Sequence, residues 1–247
     1  MSHSVARAVA VLELLSTGPG TQSAVAAALG VHRSTALRLL ESLSEGGLVR
    51  RGDDQRYYLG SRLNGLAAAA ADQFELGAAA HRHLAALQRA TGATVHLGAL
   101  ENRVIRYVDK VEPARSVRLY SQIGAPVILH TAGISKAILA FQHPEVAAEL
   151  LAGHVYERFT ATTLTSRAEL DAELARVRGR GFAVDDSEHE SFIGCIAVPV
   201  RGHDGSVSCA VSLTELTARA TVAALESHLG RLTEAADAIA KELGWKP

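Results

Sequence analysis

Between Thr21 and Leu59 the chain reads as two short helices closed by a hairpin, and this unit constrains the fold more than any other stretch. An apolar stripe runs through Val25, Ala28 and Leu29, then Val31, then Leu37, Leu40 and Leu43, the spacing that packs one helix against another. Gly30 falls between them, where a tight turn must swing the chain into the second helix. At about 100° per residue, Ala36, Leu37, Leu39, Leu40 and Leu43 share one arc of that helix, and Ser34, Thr35, Arg38, Glu41 and Ser42 share the other. Leu48 to Arg51 and Arg56 to Leu59 are β-prone runs around the turn residues Gly52, Asp53, Asp54 and Gln55. Helix, turn, helix and hairpin in this order make a winged helix-turn-helix, expected over residues 1–61.

The polar arc of the second helix is short, hydroxyl-bearing and basic, which is what a helix entering the major groove of DNA needs. Arginine pairs bidentately with guanine, and Ser or Thr reaches phosphates or base edges. Arg33, Ser34, Thr35 and Arg38 are therefore candidate DNA contacts, Arg33 standing at the helix start where backbone N–H groups favour phosphate. Arg51 and Arg56 in the wing are candidate contacts to the DNA backbone. One arginine on an amphipathic helix is usually only solvated; the complete unit carries the reading. Residues 1–62 hold seven Arg, no Lys and five acids, so a head of net charge +2 sits on a remainder of −3. Double-stranded DNA is the expected partner of that head.

A chain of 247 residues can bury two cores. No apolar run approaches the ~20 residues that span a bilayer, so no membrane association is expected. The start, MSHSVARAVAVLELL, is an amphipathic helix with Glu13 inside it and not a signal peptide, and a cytoplasmic protein is expected. Cys195 and Cys209 lie in apolar strand-like runs and read as buried thiols, not as a disulfide framework. No cofactor, metal or catalytic group is expected.

Residues 4–16 form the first helix, with Val5, Val9, Leu12 and Leu15 at helical spacing. Residues 62–91, rich in Ala and Leu, read as a linker helix with a break near Gly77 and an Ala-rich surface, Leu66 to Ala80, able to meet a second subunit. From residue 92 the rhythm changes to strands, VHLGAL and VIRYVDKV, around the turn Glu101-Asn102-Arg103. Helices follow near 133–141, 143–152 and 166–180, then strands AVDD, CIAVPV and VSCAVSL, and a closing helix over about 217–243. The class is α+β, with helices flanking an antiparallel sheet in residues 92–247.

The whole chain resembles the isocitrate lyase regulator (IclR) family of bacterial transcription factors. The resemblance runs through SVARAVAVLELL, LGVHRSTALRLLESL, YYLGSRL, TGATVHLGAL, VIRYVDKVE, HTAGISKAILA, RGRGFAVDDSEHE and CIAVPV, in order. It implies a homodimer or dimer of dimers on a near-palindromic operator, and a GAF-like carboxy-terminal domain that binds a small organic or aromatic acid. The sequence departs from the family pattern at Ile128, Ser135, Phe192 and Gly194, several of which border the expected effector pocket.

Gly133-Ile134-Ser135 precedes a helix running from Lys136 to Phe141, so its backbone N–H groups favour a carboxylate. Ser212 and Thr214 are two apart on a strand and face one side, a polar patch or a pair of locally bonded hydroxyls. By resemblance Gly133, Ile134, Asp185, Cys195, Ser212 and Thr214 match positions around the effector, and Leu119, Val127 and Ile193 match its apolar wall. Asp185 reads either as an acceptor for a ligand hydroxyl or as a turn residue. The run Asp185, Glu188, His189, Glu190 lacks metal-ligand spacing and reads as solvated charge. Phe192 is expected at the pocket mouth. The rival reading is an enzyme with Cys195 as nucleophile and His130 or His189 as base. A third, a structural DNA-binding protein, leaves a sensor-sized second domain unused.

Overall fold

These periodicities are realised in a computed structural model that describes residues 3–73, 76–114 and 121–246. The chain divides into two compact units, Met1–Phe74 and Glu75–Pro247.

The first unit contains α1 (His3–Ser16), α2 (Gln22–Ala28), α3 (Arg33–Glu45), the hairpin β1 (Val49–Arg51) and β2 (Tyr57–Leu59), and α4 (Arg62–Gln73). Val11 and Leu15 of α1, Val25 of α2, Ala36, Leu40 and Leu43 of α3, and Val49 and Tyr57 of the hairpin close one small core. The turn between α2 and α3 needs glycine: Gly30 sits at φ +61, and Val31 N–H returns to Ala26 C=O at 3.0 Å. Thr21 caps α2 by accepting the Ala24 N–H, and His32 caps α3 through Nδ1. Gly20 exchanges both backbone hydrogen bonds with Tyr57, at 2.8 and 3.1 Å, so the wing gains a third short segment.

The second unit begins with α5 (Leu76–Thr91) and the strands β3 (Thr94–Glu101) and β4 (Val104–Val111). It continues through α6 (Gly133–Leu139), α7 (Pro144–Leu150), α8 (Arg167–Arg180), β5 (Ala183–Asp186), β6 (Ile193–Arg201), β7 (Val207–Leu216), α9 (Val222–Glu226) and α10 (Leu229–Glu242). The strands form one antiparallel sheet in the order β4-β3-β7-β6-β5. Asn102 and Arg103, both at positive φ, make the two-residue turn that joins β3 to β4.

Strand alternation gives this sheet two different faces. Val95, Leu97, Ile196, Val198, Val211 and Leu213 point to one side, where α5 and α10 cover them with Ala80, Leu84, Leu87, Leu232, Ala236 and Ile239. The other side carries small and polar residues, and α6 and α8 lie across it. Gly98 permits that approach: a Cβ there would stand 2.5 Å from Ile134 Cγ2. The unit is a three-layer α/β/α arrangement within the α+β class.

The stretch 62–91 is divided between the units. α5 belongs to the core of the second, and Ala80, expected on a surface facing another subunit, is fully buried there. Gly77, near which a break is expected, lies inside α5, and residues 74–75 before it lie outside the described residues. The single closing helix is two, α9 and α10, and Ser227 and His228 lie between them.

Candidate functional site

In the first unit α3 presents the face that its periodicity predicts. Arg33, Ser34 and Arg38 are exposed and Thr35 is half-buried, while Ala36, Leu40 and Leu43 hold the opposite face in the core. Gln22 donates to Arg33 C=O at 3.0 Å and so ties the start of α2 to the start of α3. In the wing, Arg50 pairs with Tyr58 across the hairpin and Arg51 with Tyr57, so the two arginines take opposite faces. The Arg50 guanidinium lies over the Tyr58 ring at 4.5 Å, and Tyr58 in turn donates to Asp54 at 2.8 Å. Arg56 sits 4.0 Å from Asp54 with both side chains about half exposed, a pairing too wet to hold it back from a phosphate. Sequence reasoning passed over Arg50; its signal was the alternation Arg50, Arg51 against Tyr57, Tyr58.

In the second unit the strand register assembles the site. Asp185, Cys195, Thr214 and Thr94 form one cross-strand row, and Ala183, Ala197, Ser212 and His96 form the next. Both rows face α6, and a cavity of about 430 Å³ opens between them and the start of that helix. Gly133, Ile134, Asp185, Ile193, Cys195, Ser212 and Thr214 all line it, as expected. The cavity also takes His96, Tyr107, Ser121 and Thr131, which sequence reasoning missed because each lies alone in its own segment, and His189, which it named only as solvated charge or as a base of the rival enzyme.

Several expectations are corrected. Val127 does not line the cavity: its N–H bonds to Ile105 C=O at 2.8 Å, and its side chain lies in the core beneath α6, while its neighbours Pro126 and Ile128 face the cavity. Alternation along an extended chain is the reason. Leu119 lies outside the described residues. Phe192 is half exposed and does not reach the lining, which takes Ile193 instead. Ser135 stands inside α6, its hydroxyl donating to Ile128 C=O and Ala132 C=O.

Two members of the run 185–190, Asp185 and Glu188, are not solvated charge either. Asp185 and Glu188 are buried, and Glu188 meets the fully buried Lys136 of α6 at 2.5 and 2.6 Å. Glu188 N–H donates to Asp185 Oδ1 at 2.8 Å, and Thr163 Oγ1 donates to Glu188 C=O at 2.6 Å. The loop is thus pinned against the cavity from three sides.

The electrostatics follow from burial. His96, enclosed by the sheet and facing the charge of Lys110, is pushed down to about 3 and is a neutral imidazole at neutral pH. It bonds Ser121 Oγ at 2.8 Å through Nε2 and approaches Thr214 Oγ1 at 3.4 Å through Nδ1. Burial pushes the Asp185 carboxyl up to about 6 against the pull of Lys136. Burial and the charge of Asp185 push the Cys195 thiol up to about 12, so it carries almost no thiolate at neutral pH and serves as a wall atom. His130 spends both ring nitrogens on Glu157 C=O and His154. What remains is a cavity of hydroxyls, a neutral imidazole and a raised carboxyl on an apolar floor, suited to holding a small polar molecule.

The IclR helix-turn-helix domain matches residues 4–53, and the bacterial transcriptional regulator IclR C-terminal domain matches residues 68–241. The regulator XynR of Escherichia coli is 32% identical, with 98% of each chain covered. KdgR of the same organism is 33% identical over 87% of this chain and 82% of its own. The crystal structure of a putative IclR regulator from Silicibacter sp. TM1040 superposes with a TM-score of 0.82 at 25% identity, covering 98% and 96% of the two chains. The IclR protein of Thermotoga maritima is 31% identical with a TM-score of 0.65, over 99% of this chain and 100% of its own. With both of its units matched in order and nearly its whole length covered, this chain belongs to the IclR family of DNA-binding transcriptional regulators.

Proposed function

We propose that the protein is a ligand-responsive repressor of a catabolic or metabolic operon, whose second unit senses a small organic acid. The cavity carries this reading, because it joins two strand rows, one helix start and one loop, elements whose relative positions a ligand can bias. Arg33, Ser34, Thr35 and Arg38 read the operator, and Arg50, Arg51 and Arg56 hold its backbone. Repression is favoured by the relative YiaJ of Escherichia coli, a DNA-binding transcriptional repressor 32% identical over 99% of this chain. A homodimer or dimer of dimers supplies two half-sites, since one winged domain reads too few base pairs. Val5 and Val9 of α1, 59% and 49% exposed, and Leu66 of α4, 50% exposed, support pairing through these helices. No helix among the described residues is long and apolar enough to cross a membrane, in keeping with work on DNA in the cytoplasm.

The test is a thermal-shift screen of small carboxylic and aromatic acids followed by operator binding with and without each hit. A ligand at ~100 times its dissociation constant adds about 2.7 kcal/mol of stability. An acid that stabilises the protein and changes operator affinity about 5- to 150-fold supports the reading. An operator affinity indifferent to every stabilising acid sinks it.

A further inference from the structure

The wing that carries Arg50, Arg51 and Arg56 also carries two acids in its turn, Asp53 and Asp54. A negative charge on a hairpin that meets DNA repels phosphate, so Asp54 weakens binding unless it serves another group. Its contacts name that group. Asp54 Oδ2 accepts the Tyr58 O–H at 2.8 Å, and Oδ1 accepts the Arg56 N–H at 3.1 Å. These two bonds, the Tyr58 bond foremost, hold its carboxyl below the usual range and keep it a carboxylate at neutral pH.

Tyr58 is partly buried and lies outside the core of the winged unit, whereas Tyr57 beside it is packed into that core. The Tyr58 ring is held at the tip instead. A Cβ on Gly52 would stand 2.7 Å from Tyr58 Cε2 and 2.8 Å from Asp54 Oδ1, so ring and carboxylate lie together over the residue of the turn that has no side chain. The Arg50 guanidinium rests on that ring at 4.5 Å, from the position directly across the hairpin. Among the described residues Arg50 enters no ion pair, which leaves its charge open to a phosphate. Support therefore runs from Asp54 to Tyr58 to Arg50. The Tyr58 O–H is spent on a carboxylate and the ring face on a cation, so Tyr58 keeps no donor for DNA.

Resting on the reading that the wing holds the DNA backbone, we infer that Asp54 and Tyr58 are positioning residues that set Arg50 against a phosphate. A flexible arginine gives up rotamer freedom when it meets DNA, and a guanidinium already laid on a ring gives up less. Asp54 acts against DNA through its charge and for DNA through Tyr58, and the second effect is the larger.

The experiment uses the full chain and a labelled duplex of mixed sequence about 30 base pairs long, since a phosphate contact does not depend on sequence. Fluorescence anisotropy across a salt titration compares wild type, Arg50→Ala, Tyr58→Leu, Asp54→Ala, and each of the last two combined with Arg50→Ala. Arg50→Ala should weaken binding and lower the salt slope by about one charge. Tyr58→Leu should weaken binding about two- to fivefold while Arg50 is present, and less than about 1.5-fold once it is gone. Asp54→Ala should weaken binding about twofold beside Arg50 and tighten it in Arg50→Ala, where only the repulsion of DNA remains. Losses of equal size in the two backgrounds would show residues that hold the whole wing or touch the DNA themselves, and overturn the positioning role alone. A variant whose wing misfolds gives that same result. Asp54→Ala that tightens binding in both backgrounds also overturns it. Affinity and slope left unchanged by Arg50→Ala would take Arg50 off the DNA and overturn the wing contact and the positioning role together.

Discussion

Asp185 on β5 stands directly across from Cys195 on β6, and this one pairing places a raised carboxyl against a silent thiol on the cavity wall. The burial that raises this carboxyl makes it a burden on the fold. In the unfolded chain Asp185 titrates near 3.8, and in the folded protein near 6. Between these values the folded state holds the extra proton, so the stability that depends on this group falls as pH rises from about 4 to about 6 and stays low above.

Asp185→Asn removes that burden, because the amide oxygen still accepts the Glu188 N–H. At pH 7 the variant should be more stable by about 1–3 kcal/mol, and the gain should vanish near pH 4. Urea unfolding of both proteins at pH 4, 5, 6 and 7 measures the difference, which also carries the easier ionisation of Glu188 once the Asp185 charge is gone. A variant less stable than wild type at pH 7 would contradict the burial argument.

Lys136 and Glu188 form an ion pair in the core, and removing one partner strands the other. Lys136→Met should cost about 3–5 kcal/mol in denaturant unfolding. Adding Glu188→Leu should return at least about 1 kcal/mol of that loss, a coupling that a double-mutant cycle reads directly.

On the DNA side, Arg38→Ala should cost about 1–3 kcal/mol in operator binding and relax base preference at one position. Arg50→Ala, Arg51→Ala and Arg56→Ala should weaken all sequences alike and each reduce the salt slope by about one charge. Footprints and salt titrations separate the two behaviours. An unchanged footprint for Arg38→Ala would remove α3 from the major groove.

Ser212→Ala together with Thr214→Val removes two hydroxyls from adjacent rows of the sheet. Ligand-free operator affinity should stay within about twofold, while the ligand effect shrinks about tenfold or more. Operator titrations with and without the stabilising acid check this, and a full ligand effect in the double variant would move the site elsewhere.

Cys195 should resist alkylation by iodoacetamide at pH 7.5 in the folded protein and react on unfolding, because its thiol is pushed up to about 12. Mass spectrometry of the labelled peptide reports it. Rapid native labelling would revive the reading of Cys195 as a nucleophile.

Local physics made the winged unit legible. The arcs of α3, the glycine turn at Gly30 and the hairpin of the wing all follow from helical and strand periods over a few residues. The same periods marked the strands and most helix ends of the second unit, where capping residues such as Ser166 and Gly181 act on the adjacent turn. Resemblance added most of the cavity residues, because it carries positions that no local pattern links.

Pairings distant in sequence were decided only by the tertiary structure. Which of Pro126, Val127 and Ile128 faces the cavity depends on one hydrogen bond to Ile105. Whether Glu188 is solvated or buried depends on Lys136, 52 residues away. His96 joins Ser212 only through the register of β3 on β7, and His130 is linked to His189 only through the ring of Phe159. A side chain's face within an element is set by neighbours along the chain. Its partner across the molecule is set by how whole elements pack, and there a shift of one residue exchanges core for cavity.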